Sequence, residues 1–113
     1  MTAVLISALY PNEAESRFDS GYYRDRHTPF ARALLEPLGL TQLRTTFGVA
    51  GLDGAAPPFW AISEMTFPSR AAFDAAMAQC GAQLFADIQN YTSVTPVLQV
   101  SRLDRGPTTH TGA

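Results

Sequence analysis

Residues 2 to 10, TAVLISALY, carry apolar side chains at consecutive positions instead of every second one, which predicts a strand covered on both faces. Pro11 and Asn12 break it. From Phe18 to Leu35 the spacing changes to three and four, the period of a helix. Its inward stripe is Tyr23, His27, Phe30, Leu34 and Leu38, with Ala31 and Leu35 beside it. Asp19 is placed to cap this helix, and Pro37 and Gly39 to stop it. Residues 41 to 49 predict a second strand rich in Thr and aromatics, and AGLDGAAPP a hairpin connection. The third strand is residues 59 to 67. It has Phe59, Ala61, Ser63, Met65 and Phe67 on one face and Trp60, Ile62, Glu64 and Thr66 on the other. Ser69 caps a second helix, RAAFDAAMAQC, whose inner face holds Phe73 and Met77. Gly81 is read as its end, AQLFADI as a short further helix, and residues 93 to 103 as the last strand.

The order β-α-β-β-α-β predicts an α+β, ferredoxin-like fold with an antiparallel four-stranded sheet. Two helices cover one face of such a sheet only. Strands that are apolar on both faces therefore predict a homodimer with sheet stacked on sheet, and Trp60 is expected on the dimer side. Residues 1 to 104 form the domain. Residues 105 to 113 lack apolar periodicity and are expected to be a flexible tail, with no role for His110.

Composition narrows the function classes. A chain of 113 residues suits one domain, and 46% apolar with 16% charged residues is globular in character. The net charge of −2, with no basic stripe, argues against nucleic acid as a partner. The longest apolar run, residues 3 to 10, is too short to span a membrane. No signal-peptide pattern opens the chain. Cys80 is the single cysteine, so no internal disulfide forms and a cytoplasmic location is expected. Cys80 itself reads as a small core residue.

The chemistry concentrates in YYRDRHTP. Tyr23 and His27 point towards the sheet with Phe30 and Leu34, Tyr22 lies at the edge, and Arg24 and Asp25 face solvent. Pro29 lacks an N–H and disfavours helix at Thr28. Either the helix kinks there, or it restarts with Thr28 as cap. A kink beside an inward histidine opens space for a pocket. A histidine in an apolar stripe is more often a satisfied core residue than a catalyst. No second ligand at suitable spacing supports a metal site, GVAGLDG opens no helix and so is no phosphate loop, and two histidines establish no serine triad.

FDSGYYRDRHTPFARALLEPLGL resembles the EthD family, with its Tyr-Tyr pair followed by His-x-Pro. FADIQNYTSVTPVLQV resembles that family's second signature, with Gln89 where proline is common and Tyr91 where phenylalanine is common. The resemblance reaches residue 103 and implies a dimeric α+β barrel with a pocket between helix and sheet. The matching positions are Tyr22, Tyr23, His27 and Pro29, then Asp87, Asn90, Tyr91 and Thr92. The family's name comes from an ether-degrading system, a xenobiotic catabolic setting. Relatives of similar fold include cofactor-free monooxygenases, isomerases and decarboxylases.

Three functions follow as expectations. The first is a cofactor-independent enzyme acting on a hydrophobic or aromatic metabolite, by proton transfer, oxygenation, isomerisation or decarboxylation. His27 is its acid or base, with Tyr23 and Tyr22 in the catalytic group. Phe30, Leu34, Phe47, Met65, Phe73, Asn90 and Tyr91 hold the substrate, and no metal or other cofactor is required. The second is an accessory protein that holds a small hydrophobic molecule for a partner oxygenase such as a cytochrome P450 system. The third, haem binding through His27, is disfavoured by the short chain. Asn90 and Thr92 are also expected to satisfy the backbone of the turn entering the last strand.

Overall fold

The computed structural model describes residues 2–104. The tail expected over 105–113, with His110, lies outside the described residues. Strands β1 (Val4–Pro11), β2 (Gln42–Phe47), β3 (Phe59–Phe67) and β4 (Val97–Arg102) form one sheet in the order β2-β3-β1-β4, antiparallel throughout. This is the ferredoxin-like arrangement. Strand β1 runs past the end expected at Tyr10 into Pro11, which pairs with Phe59 across an irregularity in the ladder. Strand β4 starts four residues later than the sequence predicts. Val94 is buried but not in the sheet, and Thr92 makes an isolated bridge to Phe18.

Alternation along the strands sorts the two faces. Val4, Ile6, Ala8 and Tyr10 of β1 pair with Phe67, Met65, Ser63 and Ala61 of β3, and this face carries the helices. The other face bears Leu5, Leu9, Ile62 and Val97 among polar residues, including the Arg44–Glu64 ion pair at 2.7 Å. Trp60 departs from its expected place. Its ring stacks on Phe18, and its indole N–H donates to Ser16 Oγ over 2.9 Å, so the segment leading into the first helix holds it.

The first helix neither breaks nor restarts at Thr28. It runs through α1 (Ser20–Tyr22), a π-helical turn (Tyr23–His27), α2 (Thr28–Leu35) and a 3-10 turn (Glu36–Leu38). Asp19 caps it, accepting from the Tyr22 N–H at 2.9 Å. Proline at 29 has no N–H to give the preceding turn, and its ring crowds the carbonyl four residues back. The chain responds by widening: the Thr28 N–H bonds to the Tyr23 carbonyl, five residues away, with Thr28 in ordinary helical geometry. One residue is thereby added to the turn. Beyond it the inward series is Ala31 and Leu35, both buried, and Phe30 is turned out to 38% exposure.

Helix α3 (Arg70–Ala86) passes straight through Gly81, where the sequence predicts an end. Glycine inside a helix costs about 1 kcal/mol relative to alanine, which the strong helix formers on either side outweigh. Gly81 is buried, with Met77 packed over it. The helix stops at Asp87 and a 3-10 turn follows at Ile88–Asn90.

Candidate functional site

A cavity of about 90 Å³ lies between the first helix, the sheet and α3. Its floor is Ile6, Ala8 and Tyr10 of β1, Ser63 and Met65 of β3, and Leu43 of β2. The first helix contributes Tyr23, His27, Ala31 and Leu35; α3 contributes Phe73, Met77 and Leu84; Tyr91 closes one end. Phe85 and Leu98, each 49% exposed, stand at its open side with Pro96.

The polar centre of the wall is a carboxylate–imidazole pair. His27 Nδ1 lies 2.7 Å from Asp87 Oδ2, and the two side chains are 10% and 14% exposed. Asp87 Oδ1 accepts from the Tyr22 hydroxyl at 2.7 Å and from Asn90 Nδ2 at 2.9 Å. Burial alone works to raise the Asp87 carboxyl. The hydrogen bonds from Asn90, His27 and Tyr22, and the charge on a protonated His27, outweigh it and hold the group below the ordinary carboxylate value. Asp87 is therefore ionised near neutral pH. An ionised carboxylate only accepts, so the proton shared with it belongs to Nδ1, and in the neutral imidazole the lone pair is on Nε2. Tyr22 is raised by its donation to Asp87.

Aromatic rings brace this pair. The His27 ring sits 4.9 Å from Tyr23 and 4.8 Å from Tyr91, centroid to centroid. The Tyr91 hydroxyl shares a 2.8 Å hydrogen bond with Tyr10. Burial, ahead of mutual repulsion with neighbouring tyrosines, pushes both phenols well above the usual value and keeps them protonated. The turn beneath is fixed by Thr92, whose hydroxyl donates to the Arg17 carbonyl at 2.7 Å and accepts from the Val94 N–H at 3.2 Å.

The structure thus brings Tyr23, His27, Met65, Phe73 and Tyr91 to one cavity, and places five other candidates elsewhere. Phe30 is turned outward by the π-helical turn, and Leu34 packs into the apolar core beside the cavity. Phe47 pairs with Ala61, two residues along the ladder from Thr45 and Ser63, and lies against Phe18 and Tyr23. Tyr22 and Asn90 support Asp87 from behind and do not line the cavity. Among the groups outside the predicted site set are Tyr10 and Ser63 of the wall and Asp87 behind it, the last marked only as a matching position of the family resemblance. Asp87 is the single acid between Asp74 and Asp104, which is a signal. Tyr10 and Ser63 share strand parity with the core residues around them.

The EthD domain model matches residues 12–95 of the chain. Among solved structures, an EthD-like protein from Ralstonia eutropha JMP134 is 35% identical with a TM-score of 0.84, covering 96% of this chain and 99% of that one. An EthD-family protein from Bacillus halodurans C-125 is 21% identical with a TM-score of 0.67, covering 89% and 97%. HapK from Hahella chejuensis shares the fold at 16% identity and a TM-score of 0.55, covering 96% and 99%. No curated protein matches the chain.

Proposed function

The chain belongs to the EthD family, and from that premise we propose that it is a cofactor-independent enzyme that moves a proton on a small hydrophobic metabolite. The observation that carries this reading is the 2.7 Å contact between His27 Nδ1 and Asp87. It orients the imidazole and leaves Nε2, the basic nitrogen, to an apolar cavity. A neutral imidazole so placed can accept a proton through Nε2. Asp87 stays ionised and stabilises the imidazolium as it forms. Tyr22 and Asn90 fix the carboxylate, while Tyr23 and Tyr91 fix the ring plane. The substrate enters past Phe85 and Leu98, both apolar and exposed.

The working unit is proposed to be a homodimer closed through the open sheet face, where Leu5, Leu9 and Ile62 have no partner within the subunit's helix layer. Among the described residues no helix is long and apolar enough to cross a membrane. Cys80 is free and buried, which suits a reducing cytoplasm.

Deuterium exchange into a panel of small phenols, ketones and lactones, followed by NMR with oxygen uptake in parallel, tests the reading. Wild type is expected to accelerate exchange into at least one compound. His27→Ala should return it to the buffer rate while the protein stays folded, and Asp87→Asn should slow it strongly. Binding of these compounds without any exchange, unchanged in His27→Ala, would favour a protein that holds a metabolite for a partner oxygenase.

A further inference from the structure

Ser63 is a polar residue in the apolar floor of the cavity, only 5% exposed and set between Ala61 and Met65. It lies on β3, which is flanked by strands on both sides, so the backbone around it is committed to the two ladders. Thr45, directly opposite on β2, donates its hydroxyl to Ser63 Oγ over 3.0 Å. A hydroxyl offers one proton and two lone pairs. With Thr45 supplying one of its lone pairs with a donor, the Ser63 proton has no acceptor among the described residues and can be used in the cavity. The polar lining then includes a base on the helix side, His27, and a free hydroxyl donor on the sheet side, Ser63, beside Thr28 and the tyrosines.

Building on the reading of His27 as a base, we propose that Ser63 binds the substrate's oxygen, and that the substrate is a compact hydrophobic carbonyl compound with a C–H next to the carbonyl. His27 Nε2 takes that proton. The C–H electron pair becomes the new carbon–carbon double bond, and the carbonyl pair moves onto oxygen. The Ser63 hydroxyl, polarised by Thr45 behind it, donates to the enolate oxygen as its charge develops. Return of the proton to the same or another carbon completes an exchange or an isomerisation, with no external oxidant or reductant. Size favours a compact skeleton: the cavity, at about 90 Å³, is smaller than the roughly 150 Å³ that holds benzene in a dry protein core.

Cyclopentanone and methylenecyclopentane, which replaces the oxygen by a CH₂ group, are suitable probes. Carbonyl-13C cyclopentanone bound to wild type should show a downfield carbonyl shift, which Ser63→Ala abolishes and His27→Ala retains. Deuterium exchange at its α carbons should fall on the order of 10²-fold in Ser63→Ala, with Ser63→Thr restoring part of it. Methylenecyclopentane should bind wild type and Ser63→Ala alike. A carbonyl shift and exchange rate unchanged in Ser63→Ala, with exchange still lost in His27→Ala, would overturn the role of Ser63 and leave the base intact. A shift lost in Ser63→Ala with exchange indifferent to His27 would instead sink the base. No carbonyl shift in wild type overturns the proposal outright.

Discussion

The two ends of β1 are packed by different chemistry. Around Val4 and Ile6 the neighbours are Leu35, Leu40, Phe67, Ala76 and Cys80, a cluster without charged groups. Around Tyr10 they are Tyr23, Tyr91, Phe18 and Trp60, rings set largely edge to face and tied by a phenol–phenol hydrogen bond. The first end is held by area and shape, which are tolerant of direction. The second is held by contacts that depend on angle, and so it fixes orientation as well as position. The cavity and the His27–Asp87 pair sit between the two. Both ends bury large side chains, Phe67 and Leu35 at one and Tyr91 at the other, but the aim of the imidazole is set at the aromatic end.

Damage to the apolar end should be the larger in free energy. Phe67 is fully buried, so Phe67→Ala should cost about 3–5 kcal/mol in urea unfolding. The 15N shifts of the His27 ring in the molecules that remain folded should be unchanged. Movement of those shifts would show that the two ends are not separable.

The converse change is Asp87→Asn. Turnover should drop on the order of 10²–10⁴-fold, the range for losing a positioned base, measured as exchange rate per folded molecule. A loss of less than tenfold would show that the carboxylate does not hold the imidazole in its working position.

Tyr10→Phe and Tyr91→Phe each remove the same hydrogen bond. Each should cost about 0.5–1.5 kcal/mol, and the double variant should cost little more than one single. Additive losses in urea midpoints would show that the two hydroxyls act separately. Both phenols are raised in the fold from 10.0. The unfolded chain therefore ionises first, and stability from this pair is present below pH 10 and lost as pH rises beyond it.

In acid the effect should be smallest. Asp87 is held below its ordinary value of 3.8. Its contribution is present above that pH and fades as pH falls through the lower folded value. Urea midpoints of wild type and Asp87→Asn should therefore converge between pH 5 and pH 2; a constant gap would mean that Asp87 carries no such linkage.

Much of this was legible in the residues. Asp19 and Ser69 read as caps because a short polar side chain just before an apolar period has few other uses, and both accept the bonds expected. The apolar runs of β1 and β3 gave the sheet, and Tyr23 and His27 gave the helix face. Three features were hidden for physical reasons. Pro29 announces a disturbed helix, but it does not say whether the chain will kink, restart or widen, so Phe30 and Leu34 were placed one residue out of step. Gly81 looks like a stop because glycine's cost is local, whereas the packing that overrides it is not. Asp87 lies 60 residues from His27. Only the fold reveals that two turns of different helices meet there.

In a uniform α-helix, each residue advances about 100°. Stepping by four then drifts the stripe by about 40° each time, or about 120° from Tyr23 to Leu35. The extra residue in the turn at Tyr23–His27 takes back about 100° of that rotation. Tyr23, His27, Ala31 and Leu35 consequently run almost parallel to the helix axis instead of winding around it. The helix behaves as two screws joined out of phase, one aimed by the aromatic end and one by the apolar core. Removing a single residue among Arg24, Asp25 and Arg26 would rejoin the threads. The core could keep its phase only by swinging Tyr22 and Tyr23 about a quarter turn away from Asp87.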